Sequence, residues 1–331
     1  MKSPLAVTEL KHFQIKGNGS SDDEQLCSVY KNGRQQVQIE ILINAWAGPS
    51  GPVVPLTEEQ LKLIKFIDYD SGKDLDTQLI RSYTKNNYEY WDGISLLQPR
   101  AVNQDMSTIT LWISLPVSTN YPSLRIAAKI TLDGAEFKTN NHDATPGGEL
   151  SEGSFNSSIK IIPVAPYAFK AAAFKVYKYG AIGYGYESGY TGGFRSLERW
   201  VISFIDPHYR IHGSDISTST PTNWFSQYIH SIGSDRCHYA LPVLPLDSQV
   251  WLGYQQTGTS TKDIFVLPYT DPSAAYAIIE RGNFSTHRYV SKGVTYYDQN
   301  GCGHFIYVNP HEKGDTIRIT DYPARSGAAI D

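Results

Sequence analysis

Two histidines and a carboxylate at alternate positions point the same way on an extended backbone and could share a metal ion, and DPHYRIHGSD, residues 206–215, has that spacing. Asp206, His208 and His212 fall on one face, with Asp215 just beyond. A cation held there could activate water, which makes a metal-dependent hydrolase one reading. Arg210 lies between the histidines on that face and opposes a cation, and no standard zinc spacing is present, so a polar strand end is the plainer expectation. A second set pairs Cys237 and His238 of RCHY with Cys302 and His304 of GCGH. Neither half has the paired C-x-x-C spacing of structural zinc. Cys302, His304, Ile306 and Val308 alternate onto one strand face, which places the thiol in a hydrophobic layer.

Other catalytic signatures are missing. The chain has no G-x-S-x-G elbow, no H-E-x-x-H and no phosphate-binding G-x-x-x-x-G-K-[ST] loop. The glycines of GAIGYGYESGYTGGF are followed by no helix pattern and no ribose-binding acid, so they are not a dinucleotide fingerprint. No cofactor is expected, and these absences point away from catalysis.

Aromatic side chains offer more. Trp112 sits on the polar side of its strand pattern with Thr108, Thr110 and Ser114, so an indole is expected to be exposed or covered from outside its sheet. RSYTKNNYEYWDG adds Tyr83, Tyr88, Tyr90 and Trp91, and the glycine-rich segment adds Tyr184, Tyr186 and Tyr190. Rigid aromatics among polar neighbours suit a protein partner or sugar rings. Covering the loop-rich ends of sandwiches is the structural alternative for each cluster.

The elements that must position these residues read as strands. In GRQQVQIEILINAW, Val37, Ile39, Ile41, Ile43 and Ala45 form one dry face. Ile109, Leu111, Ile113 and Leu115 repeat the pattern, as do Ile126, Ala128, Ile130 and Leu132, and Asp133-Gly134 and Asn300-Gly301 are hairpin signals. Thr57 followed by Gln60 predicts a capping box before a short helix, and a second short helix is expected near Thr222. The expectation is a mainly β chain: two β-sandwich-like domains of antiparallel strands with a few short helices. Residues 1–165 form the first, 166–249 an irregular glycine- and tyrosine-rich connecting region packed with the second, and 250–331 the second set of strands.

A chain of 331 residues, 40% hydrophobic and 12% aromatic, can bury a substantial core. Its net charge of -4 and 19% charged residues leave no basic face for nucleic acid. The 23 tyrosines fit sheet surfaces and binding sites alike. Glu9, Lys11 and His12 interrupt any apolar run near Met1, so no secretory leader is expected; the chain is cytoplasmic or leaves the cell by a non-Sec route. No later run reaches the roughly 18–20 apolar residues that span a bilayer.

At SVYKNGRQQVQIEILINA, residues 28–45, the chain resembles β-rich bacterial accessory proteins encoded in the Vibrio motility-associated killing (Mak) toxin locus, through the asparagine-glycine turn, the double glutamine and the alternating strand. The resemblance covers a small part of the chain. It implies a non-enzymatic accessory protein co-produced with pore-forming toxin components and transfers no catalytic residues. The expected function is therefore binding through protein contacts, with a glycan-binding module and the His208/His212 hydrolase as alternatives.

Overall fold

The structure is a computed structural model that describes residues 6–17, 25–89, 105–141, 155–182, 194–216, 226–228, 235–240, 249–256, 259–266, 275–282, 292–310 and 317–323. The chain divides into two compact units, Met1–Pro166 and Tyr167–Asp331, and it is mainly β, each unit a sandwich of packed sheets.

The first unit contains β1 (Glu9–Gly17), β2 (Gln25–Tyr30), β3 (Val37–Trp46), β4 (Lys65–Asp68), β5 (Ile80–Ser82), β6 (Ser107–Ser114), β7 (Leu124–Leu132), β8 (Ala135–Lys138) and β9 (Ile159–Val164). One sheet runs β1-β3-β6-β5 and the other β2-β9-β7-β4, with β8 also paired to β7. The dry faces expected from alternation meet between them: Ile39, Ile41, Ile43, Leu111 and Ile113 pack with Ile126, Ala128, Ile130, Ile159 and Ile161. Most pairs are antiparallel, but β2 and β9 run parallel, Gln25 opposite Ile159 through Tyr30 opposite Val164. The helix α1 (Glu58–Leu61) starts with the expected capping box. Thr57 Oγ1 accepts from the Gln60 amide at 3.2 Å, and Gln60 Oε1 accepts from the Thr57 amide at 2.9 Å.

The second unit contains β10 (Phe174–Ile182), β11 (Phe194–Phe204), β12 (Ile211–Ile216), β13 (Ser226–Tyr228), β14 (Asp235–Ala240), β15 (Gln249–Gln256), β16 (Thr259–Val266), β17 (Ala275–Gly282), β18 (Lys292–Asp298), β19 (Gly303–Pro310) and β20 (Ile317–Thr320). A sheet β10-β11-β17-β14-β13 faces a sheet β12-β18-β19-β20, and β15 pairs with β16. Phe174, Ile202 and Phe204 from the first meet Val294, Tyr296, Ile306 and Val308 from the second.

Residues 167–249 thus belong to the second unit and supply whole strands of its sheets, where the sequence suggested an irregular connection. Glycines and tyrosines blur the alternation there, while long-range pairing to β11 and β17 imposes the extended form. The helix expected near Thr222 is also replaced where described, since Ser226–Tyr228 is a strand paired with β14.

Candidate functional site

The metal set weighed at residues 206–215 does not assemble among the described residues. Asp206 Oδ1 accepts from the His208 amide at 2.9 Å and pairs with His208 Nδ1 at 2.8 Å, which makes a local turn at the surface with the imidazole 88% exposed. These contacts hold the Asp206 carboxyl below its ordinary pKa, the His208 amide first and its ring second. The turn ends the extended backbone that alternation required. His212 lies farther on in β12, and Arg210 is fixed through its amide, which donates to Gln299 Oε1 at 2.9 Å. Among the described residues, no three His, Cys, Asp or Glu side chains are placed to hold a metal.

The four-residue Cys/His set is split between sheets. Cys237 and His238 belong to β14, whose side chains lie outside the described residues, while Cys302 and His304 precede or lie in β19 of the facing sheet. Cys302 and His304 are fully buried on the inward face with Ile306 and Val308, as alternation predicts for a hydrophobic layer.

The structure adds two residues that sequence reading missed, Asp298 and Tyr167. Asp298, fully buried at the end of β18, accepts four hydrogen bonds. Its Oδ1 takes the amides of Asn300 at 2.9 Å and Cys302 at 3.0 Å; its Oδ2 takes the Tyr167 hydroxyl and His304 Nε2, the latter at 3.2 Å. His304 Nδ1 accepts the Phe169 amide at 2.9 Å, so the ring proton sits on Nε2 and is donated to Asp298. Burial first, and the Asp298 acceptor second, push the Tyr167 phenol far above its ordinary pKa, which keeps it a donor. Phe169 stacks on the imidazole at 5.0 Å between ring centres, and Phe204 meets it edge-on at 5.4 Å. Cys, His and Asp side by side suggest nucleophilic catalysis, but both imidazole nitrogens are committed, leaving none to take a proton from a thiol. The network's chemistry is cohesion of the sandwich end. The local signal for Asp298 is its place at the start of the DQNG turn, where an aspartate side chain caps the following amides.

Aromatic candidates separate by exposure. Trp112 is buried, at 8%, flanked in register by Gln38 of β3 and Ser82 of β5, so of the two expected outcomes its indole is the covered one. Leu42 and Ser114 on the same outward side are buried too, while Thr108, opposite Leu42, is exposed. Tyr88 is half-buried on a segment braced by the resemblance motif itself. Gln36 Oε1 accepts the Asn86 amide at 2.8 Å, Gln35 Nε2 donates to the Glu89 carbonyl at 3.3 Å, and Asn86 Oδ1 accepts the Tyr88 amide at 3.1 Å. Asn32 Oδ1 orders the preceding turn by taking the amides of Arg34 and Gln35, each at 2.9 Å. Tyr90, Trp91, Tyr184, Tyr186 and Tyr190 lie outside the described residues.

An open patch sits beside this brace. Leu63 and Tyr83 are 53% and 44% exposed. Arg81 Nη1 donates to the Ile64 carbonyl at 2.6 Å, tying the edge strand β5 to the turn after α1. Lys62 and Arg81 each stand 5.9 Å from the Tyr83 ring centre, while Ile80, in register with Ser114, is exposed on the opposite face of β5.

No family model matches the chain, and no curated protein matches it. Among solved structures, it is similar to the C-terminal domain of the Streptococcus pyogenes antigen I/II-family protein AspA, with 10% identity, 94% of this chain and 99% of that chain covered, and a TM-score of 0.21. The corresponding C-terminal domain of the Streptococcus agalactiae antigen I/II polypeptide BspA gives 9% identity, 94% and 100% coverage, and a TM-score of 0.20. At such scores the likeness carries no functional argument. No described helix is long and apolar enough to cross a membrane.

Proposed function

We propose that this chain is a non-enzymatic accessory protein that acts by binding a protein partner, and that the exposed Leu63 and Tyr83 are part of its contact surface. The observation that carries the reading is the exposure of a leucine and a tyrosine on a firmly braced edge, with cations beside the ring. Aromatic and arginine side chains on a rigid support lose little entropy on binding. The resemblance at residues 28–45 supplies the partner to try first, a component of a pore-forming toxin produced alongside, and the same motif braces the neighbouring 86–89 segment.

Pull-down of the full chain with toxin components encoded beside it tests this. The double variant Leu63→Ser/Tyr83→Ala is expected to weaken capture by about tenfold or more, the loss of a modest hot spot, with an unchanged circular dichroism spectrum. Capture at wild-type strength by that variant removes the patch from the interface.

A further inference from the structure

The outward face of the sheet β12-β18-β19-β20 carries a motif written twice. Gly293-x-Thr295-x-Tyr297 on β18 runs antiparallel to Gly303-x-Phe305-x-Tyr307 on β19, so that Gly293 faces Tyr307, Thr295 faces Phe305 and Tyr297 faces Gly303. The alternate residues Val294, Tyr296, Ile306 and Val308 fill the core, so this set lies on the outward side, where Tyr297 is buried at 9%, Tyr307 is half-buried and Phe305 is the open ring. Glycine weakens a strand interior, and a pair of them on one face marks a close approach from above. Here the approach is by aromatic rings. A Cβ on Gly293 would stand 2.8 Å from Phe305 Cζ and 3.4 Å from Tyr307 Cε1, and one on Gly303 would stand 3.1 Å from Tyr297 Cε1. The missing side chains let rings settle against the backbone, as aromatics cover strand glycines elsewhere. Phe305 remains 52% exposed and meets Tyr307 edge to face at 5.1 Å. Across the same face, Asp215 of β12 pairs with Thr295, and Thr320 of β20 pairs with Tyr307. Arg318, in the next outward row of β20, is exposed like Asp215, so one carboxylate and one guanidinium rim opposite edges of a low-lying aromatic strip.

We infer that this strip is a carbohydrate platform for flat, equatorially linked pyranose chains. An all-equatorial ring shows a broad apolar C–H face that stacks on an aromatic side chain and a rim of hydroxyls that needs donors and acceptors at the sides. The balanced rim selects no net ligand charge, which a neutral polyol satisfies. Three strand spacings of about 4.8 Å separate β12 from β20, room for a short run of sugar rings. The site lies in the second unit and does not depend on the protein-contact patch of the first.

Isothermal titration calorimetry of the full chain with cellohexaose and with chitohexaose tests this. At least one should bind, and maltohexaose, whose α-linkages curl the chain, should bind at least about tenfold more weakly. Phe305→Ala, at an exposed position, should lower affinity by about tenfold. Gly293→Ala keeps every aromatic but pushes Phe305 away, and should also weaken binding, while Leu63→Ser/Tyr83→Ala should bind sugar like the wild type. No heat with either β-linked hexamer, equal affinity for maltohexaose, or full binding by Phe305→Ala overturns the assignment. Loss of a protein partner on Phe305→Ala without sugar binding would overturn it in favour of a protein interface.

Discussion

Asp298 shows how much a single buried carboxylate organises. It collects two turn amides and an imidazole from the residues just after it and a phenol from 131 positions before it, and removing it leaves those donors without their acceptor. Asp298→Ala is expected to destabilise the second unit by roughly 3–5 kcal/mol in urea unfolding, since several buried donors lose their acceptor at roughly 1–3 kcal/mol each. Tyr296 makes the contrast. Its hydroxyl is fully buried and finds no hydrogen-bond partner among the described residues. Tyr296→Phe should therefore change stability by no more than about 1 kcal/mol, toward greater stability, because it removes an unmatched polar group and keeps the ring. Inward placement of Cys302 and His304 was legible from alternation alone. The role of Asp298 was not, because Tyr167, which completes the network, is 131 positions away and no local pattern encodes that meeting.

Turns and strands were legible in proportion to how local their causes are. Asp133 and Gly134 have φ of 46° and 87°, so the Asp-Gly pair makes the mirror-image turn that suits a two-residue hairpin. A Cβ on Gly134 would meet nothing within 4 Å, so Gly134→Ala isolates the backbone term. It should lower stability by about 1–2 kcal/mol, measured by thermal unfolding, and no loss would deny the left-handed requirement. Asn300-Gly301 is a different turn from a similar dipeptide. Only Gly301 has positive φ, and the Asp298 amide donates to the Cys302 carbonyl at 3.1 Å with the Asp298 side chain capping the loop. The dipeptide marked a hairpin without fixing its type. Strand β13, expected as helix, and the choice between an open and a covered Trp112 depended on which segments came alongside, and periodicity does not report that.

Each unit owns its core: one cluster draws on residues from Val7 to Ile161, the other on residues from Ala171 to Ile317. A fragment of residues 6–166 is expected to give a β-type circular dichroism spectrum and a cooperative melt by itself, and a coil spectrum would contradict that autonomy. The division into two sandwiches was legible from the recurring alternation, whereas the strands within 167–249 were hidden because glycine- and tyrosine-rich strands alternate poorly. The parallel pairing of β2 with β9 has a further consequence during synthesis. Its partners are encoded more than a hundred codons apart, and the amide of Lys31 waits for the carbonyl of Val164. A nascent chain leaving the ribosome must carry β2 with an unmatched flank until β9 emerges, so the first unit closes late, near the moment its own last residues appear.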